Sequence, residues 1–245
     1  MSSNPKNIGS LLQVLESKQI ISIASTKNIQ EGSLVVFNSE SVFFYFRDYS
    51  YRTYVRTCKY IVIDGFWLGK ILNIFNFNLT LCTGSDLMSE LIKSTESRKV
   101  LIGGSKTNHL LVESGMVHSF IDLPYDSNID KLALLAFESL QTQIPISQKL
   151  ILFISLGLPK QEIFSLKLAS LMNNERFLYN KKTLIVPIGA AADFLSGAKQ
   201  RAPLILRKLG LETLHRVLME IRIIPRAYRA CLGLWFLISK RNEVH

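Results

Sequence analysis

Residues able to do chemistry gather at four places in this sequence, each just after an apolar run. Asp64-Gly65 follows "YIVI", and Gly103-Gly104 ends "KVLIGG". Pro159-Lys160-Gln161-Glu162 follows "KLILFISLGL", and Gly189 opens "GAAAD", which closes on Asp193. A glycine or an aspartate often does no more than end a strand, so one such junction says little. Four together mark a rim. In open α/β sheets ligands bind beyond the carboxyl ends of the strands, where backbone N–H groups and short polar side chains can reach them. The usual fingerprints of such ligands are missing. There is no GxGxxG, no GxxxxGK[ST] and no GxSxG. His109, His118, His215 and His245 lack metal-ligand spacing, and no DxD pair is present to hold a metal on a nucleotide diphosphate. If the ligand carries phosphates, protein cations or backbone N–H groups must neutralise them.

The cations for that task are unevenly placed. The formal net charge of the 245 residues is +10. From Ala198 onward there are ten Lys/Arg against three acids, so this tail carries +7 and the rest of the chain +3. A basic tail on a near-neutral body suggests an anionic partner: phosphate, nucleic acid or an acidic membrane surface. No stretch approaches the ~20 apolar residues of a spanning helix. No signal peptide is visible, and Cys58, Cys82 and Cys231 read as reduced thiols of a cytosolic chain.

The elements that must position these groups follow from periodicity. Strands are expected at 33–37, 60–64, 99–104, 149–157 and 183–189, with a weaker one at 116–123. Helices are expected over "SESVFFYFRD" and at 86–95, 129–142 and 161–172. Strands apolar on both faces, alternating with helices, predict a mainly parallel sheet covered on both sides, in a Rossmann-like α/β domain over about residues 30–197. The expected division is a catalytic domain at 1–197 and a basic helical appendage at 198–245. A helix over 226–241 would put Tyr228, Cys231, Leu232, Trp235 and Ile238 on one face, with Arg226, Arg229 and Lys240 on another. That pattern suits the surface of an anionic bilayer, or packing on the body or a second subunit.

Longer motifs then line up. "PKQE" (159–162) is followed by "GAAADFLSG", "RAP" and "GLETLHR", with "FNSES", "IDG", "TGSDLM" and "LIGG" upstream. In order and spacing the chain resembles the WecG/TagA/CpsF glycosyltransferases over about residues 33–229. The resemblance implies a bacterial, inverting, metal-independent enzyme with no cofactor. Such enzymes move a sugar, often N-acetylmannosamine or its uronic acid, from a UDP-sugar to a polyprenyl-diphosphate-linked saccharide. They build teichoic acid linkage units, common antigen, capsule or exopolysaccharide. The fold it implies is Rossmann-like, with a C-terminal appendage that docks on the inner face of the membrane and completes the site. The partners would be donor, acceptor and anionic membrane; nucleic acid is not expected, and homo-oligomerisation is compatible with all of this.

Inverting transfer needs a base for the acceptor hydroxyl and charge stabilisation for the leaving diphosphate. Asp64 matches the family's base, against the default reading of Asp-Gly as a turn. Asn38 matches the T-x-N position, where an amide could orient hydroxyls. Gln161, at a helix start, could hold sugar hydroxyls or phosphate. With the base these form the expected catalytic set. Gly65, Thr83, Gly84, Asp86, Gly103, Gly104, Pro159, Lys160, Glu162, Gly189 and Asp193 are expected to bind substrate. Thr83, Gly84 and Asp86 read equally well as a helix cap, Gly103-Gly104 as a plain turn, and Asp193 as the residue that fixes its loop. Arg201, Arg216, Arg222 and Arg226 are the candidates to hold the diphosphate, against a solvated basic face. The chain departs from the family at Val36, Leu81, Thr213 and His215, which puts the donor sugar and acceptor in doubt. Glucose or a uronic acid would fit these changes. The rival readings are a catalytically weak nucleotide-sugar-binding protein and a nucleic-acid-binding module.

Overall fold

The structure is a computed structural model that describes residues 8–22, 29, 31–77, 79, 81–94, 96–104, 109–144, 149–174 and 183–239. Its centre is a seven-stranded sheet, every strand parallel to its neighbours, in the order β1-β3-β2-β7-β6-β4-β5. The strands are β1 (Gln19–Ile20), β2 (Gly32–Phe37), β3 (Tyr60–Ile63), β4 (Arg98–Gly103), β5 (Ser119–Asp122), β6 (Leu150–Ser155) and β7 (Thr183–Pro187). Each of the six expected strands is present. Added to them are β1 and α1 (Ile8–Glu16), so the Rossmann-like fold begins before residue 30. The two-residue β1 is too short to give a periodic signal.

Alternation along the strands explains why both faces are covered. Leu34 and Val36 of β2 point into one core, with Leu87, Met88 and Leu91 of α5 (Gly84–Ser94). Val35 and Phe37 point into the other, with α1, α2 (Ser39–Arg47), α3 (Tyr49–Thr57) and α4 (Phe66–Ile74). A third cluster packs α7 (Ile129–Gln143) and α8 (Lys160–Asn174) on β4 and β6. The expected helix over 39–48 is present as α2, and α3, which was not expected, follows it directly. Asp48 ends α2, and its side chain caps α3 by accepting from Tyr51 N at 2.9 Å.

The site lies where the strand order reverses. From β3 the chain crosses to β4, on the far side of β2, β7 and β6. The ladder between β2 and β7 covers only Gly32–Ser33 against Leu184–Ile185. Beyond it the carboxyl ends of the two strands are unpaired with each other, which opens a crevice at the topological switch point.

After α6 (His109–Glu113) and α9 (Ala191–Leu195), the described chain ends in α10 (Leu204–Lys208), α11 (Glu212–Met219), a 3-10 turn (Ile221–Ile223) and α12 (Ile224–Ser239). No described helix is long and apolar enough to cross a membrane. Helix α12 packs on α2: Leu237 is fully buried in the α1–α4 cluster, and a Cβ on Gly233 would collide with Ser39 O. Tyr228, Cys231, Trp235 and Ile238 of its expected apolar face are exposed. The expected polar face is corrected. Arg226 and Arg229 turn inward to Glu40, because a buried carboxylate offers them more than water does; Lys240 lies outside the described residues.

Candidate active site

A cavity of 240 Å³ sits at the switch point, walled on one side by the strand ends and on the other by the C-terminal helices. Asp64 is the first residue after β3. Its N–H donates to Phe37 O (2.9 Å), and its Oδ2 accepts from Gly84 N (3.3 Å). The carboxylate therefore faces the N-terminus of α5, which favours negative charge. Desolvation outweighs that bond, and Glu212 and Asp86 add to it against the pull of Arg201. The Asp64 carboxyl is pushed up to about 6. Gly65 follows at φ +103, a conformation that lets the chain turn straight from the strand into α4.

Asn38 caps α2 from the cavity wall. Its Oδ1 accepts from Ser41 N (3.0 Å) and Ser41 Oγ (3.2 Å), and its own N–H donates to Ser41 Oγ (3.0 Å). The cap commits the carbonyl, and among the described residues the amide NH₂ is uncommitted. Gln161 is committed further. Its Oε1 accepts from Gly189 N (2.8 Å) and its Nε2 donates to Glu162 Oε1 (2.8 Å). It ties the β6 loop to the β7 loop, with Gly189 at φ +55, and one Nε2 hydrogen remains.

The cations come from the C-terminal side. Arg201 donates to Asp86 Oδ1 (3.2 Å) and Thr83 Oγ1 (2.8 Å). Thr83 Oγ1 in turn donates to Asp86 Oδ2 (2.6 Å), which makes this the capped start of α5. Arg216 lies over the Phe194 ring, 5.5 Å from its centroid, and burial and then neighbouring Arg226 lower it below the ordinary guanidinium range. Arg226 donates from Nε to Glu40 Oε2 (3.1 Å). Arg207 completes a set of four arginines on the wall, against Asp64, Glu40 and Glu212. Among the described residues no group of three His, Cys, Asp or Glu could hold a metal ion.

Of the expected residues, the cavity gathers Asn38, Asp64, Gly65, Thr83, Gly84, Gln161, Gly189, Arg201, Arg216 and Arg226. Asp86 stands one bond behind Thr83 and Arg201. The structure places the others off the cavity wall. Glu162 is fully buried; desolvation pushes its carboxyl up to about 8, and among the described residues its Oε2 has no hydrogen-bond partner. It supports Gln161 from behind the wall. Lys160 Nζ donates to Asp126 O and lies over the Tyr125 ring, away from the cavity. Pro159, Gly103 and Gly104 also lie off the wall, the last two at and just after the end of β4, two strands from the crevice. Asp193 faces Lys199 (3.6 Å) and accepts from its N–H, so it fixes its loop. Arg222 is exposed. Sequence reasoning missed Trp67, Glu212 and Glu40 as wall residues. Trp67 Nε1 donates to Gly210 O (3.0 Å), one of the ties that hold the C-terminal helices over the site. Val36 and Thr213 line the cavity, Leu81 packs against Gly69, and among the described residues the buried His215 Nδ1 has no hydrogen-bond partner.

The fold and site define a Rossmann-like α/β protein whose carboxyl-end crevice sets one desolvated carboxylate among arginines. The profile of the Glycosyl transferase WecG/TagA/CpsF family matches residues 8–244, and the chain belongs to that glycosyltransferase family. It is similar to a protein of Staphylococcus aureus (strain MW2) named N-acetylglucosaminyldiphosphoundecaprenol N-acetyl-beta-D-mannosaminyltransferase. The two are 26% identical over 251 residues, 96% of this chain and 89% of the relative. A protein of the same name from strain NCTC 8325 / PS 47 is 25% identical over the same shares.

Proposed function

We propose that this protein is an inverting, metal-independent glycosyltransferase. It moves a sugar from a UDP-sugar to a polyprenyl-diphosphate-linked saccharide, N-acetylglucosaminyl-diphosphoundecaprenol by analogy with the named relatives. One observation carries the reading: the Asp64 carboxyl stands desolvated in a crevice whose wall includes Arg201, Arg207, Arg216 and Arg226. A carboxylate raised to about 6 is ionised at neutral pH yet more basic than one in water, which suits it to take the acceptor hydroxyl's proton. The alkoxide attacks the anomeric carbon as the bond to the diphosphate breaks. The arginines and the N–H groups at the start of α5 take up the charge left on UDP. Asn38 and the free Nε2 hydrogen of Gln161 orient sugar hydroxyls.

In this reading residues 198–245 are an appendage that closes the cavity and seats the protein on the inner face of a membrane. Leu204, Ile205, Leu209, Leu214, Leu218, Met219, Ile221 and Trp235 are all exposed on it, among the cations that carry its charge. An interfacial helix set of this kind holds to anionic lipid through both terms. The test is a screen of UDP-sugars in EDTA, measuring UDP released with and without lipid-linked acceptor. Acceptor-dependent release from at least one donor is expected. Release from none, or only in the presence of a divalent cation, refutes the reading.

A further inference from the structure

Glu40 is a buried charge that the reaction just described leaves unused. It sits in the first turn of α2, 4% exposed, two residues after Asn38. Two arginines of α12 close on it. Arg229 places Nε at 2.8 Å and Nη2 at 2.7 Å from Oε1, and its guanidinium also lies over the Phe44 ring. Arg226 reaches Oε2 through Nε alone, at 3.1 Å. Among the described residues its terminal amino groups are uncommitted, and Arg226 lines the cavity with Asp64 and Asn38. The close seat of Gly233 against Ser39 O holds α12 to the same turn of α2.

We propose that Glu40 is a positioning residue: held in place by Arg229, it aims Arg226 at the diphosphate of the donor. The inference rests on the reading of the cavity given above. A long arginine side chain loses much conformational freedom when it is fixed. Glu40 moves that loss into folding, so the guanidinium is in place before charge develops on the leaving group. A lone carboxylate here would repel a diphosphate. Two guanidiniums on one carboxylate leave one net positive charge at the wall, and the fork of Arg229 is the half that serves as anchor.

The test is a double-mutant cycle in the full-length protein, using steady-state transfer from the UDP-sugar. Glu40→Gln and Arg226→Ala each lower kcat by about a hundredfold. The KM for the UDP-sugar changes by less than about threefold, as expected when the lost interaction belongs to the transition state. The double variant is no worse than Arg226→Ala, because Glu40 acts through Arg226. A merely structural Glu40 would lower the activity of Arg226→Ala further. Additive losses, or wild-type kcat in Glu40→Gln, overturn the proposal. If Glu40→Gln does not fold, Glu40→Asp, which keeps the charge but draws it back from Arg226 by one methylene, takes its place in the cycle with the same expectation. Near-normal turnover in Asp64→Asn would instead remove the reading of the cavity, so the two failures are distinguishable.

Discussion

Replacing Asp64 by asparagine should make the protein inactive and more stable at once. Ionised Asp64 is held in a desolvated wall with Glu212 and Asp86 nearby, and its carboxyl stands at about 6 against an ordinary 3.8. That difference corresponds to about 3 kcal/mol of stability that ionisation removes. The sign follows from proton uptake. Between 3.8 and about 6 the folded state binds more protons than the unfolded chain, so this contribution is full below 3.8 and is lost as pH rises through 6. Asparagine keeps an acceptor for Gly84 N and carries no charge. Urea titration should therefore find Asp64→Asn more stable by up to about 3 kcal/mol at pH 7.5 and by about half that at pH 5. Transfer falls by roughly 10²–10⁴-fold, and the wild-type kcat/KM drops below a pH near 6 as the base protonates. A variant less stable than wild type at pH 7.5, or an activity limb near pH 4, refutes the reasoning.

Four further outcomes can be checked. The stability gap between Glu162→Gln and wild type should widen from pH 4.5 to about 8 and stay constant above it, since a raised carboxyl loses its contribution as pH climbs; a gap independent of pH would contradict the burial of that carboxyl. Gly233→Ala, which in an open helix would gain stability, should cost about 1–3 kcal/mol because its Cβ meets Ser39 O, and limited proteolysis should then cut within α12. Arg201→Ala should weaken UDP binding in calorimetry by about tenfold or more, as the donor-side cation and the tie to Thr83 and Asp86 are lost together. Leu218→Ser with Ile221→Ser, both at exposed positions, should change stability by less than about 0.5 kcal/mol yet release the protein from anionic vesicles in sedimentation.

Much of the sheet was legible because buried parallel strands read as apolar runs, from "SLVVF" to "TLIVP". Helix α3 was not: Asp48 looks like one more polar position until its side chain is seen capping Tyr51 N. Rim residues next to the crevice were readable from strand ends, as with Asp64 and Gly189. Gly103 and Gly104 end a strand in the same way, but strand order puts them two strands from the cavity, and a sequence does not print strand order. The PKQE stretch was read as four ligand contacts. Helical geometry lets only Gln161 reach the wall while Glu162 turns into the core and Lys160 turns to Asp126. Glu40 carried no signal of its own, since its meaning depends on two arginines almost 190 residues away.

The account's central claim is sugar transfer to a lipid-linked acceptor. Its most direct measurement is the mass of the lipid product when wild-type protein meets UDP-N-acetylmannosamine and a prenyl-diphosphate-linked N-acetylglucosamine, followed by proton NMR of the new linkage. The account predicts an acceptor heavier by one N-acetylhexosamine, or by the corresponding sugar of whichever UDP donor is accepted, joined in the β configuration. UDP-sugars that bind and leave unchanged with every donor tried, or a product with the donor's own anomeric configuration, would contradict it.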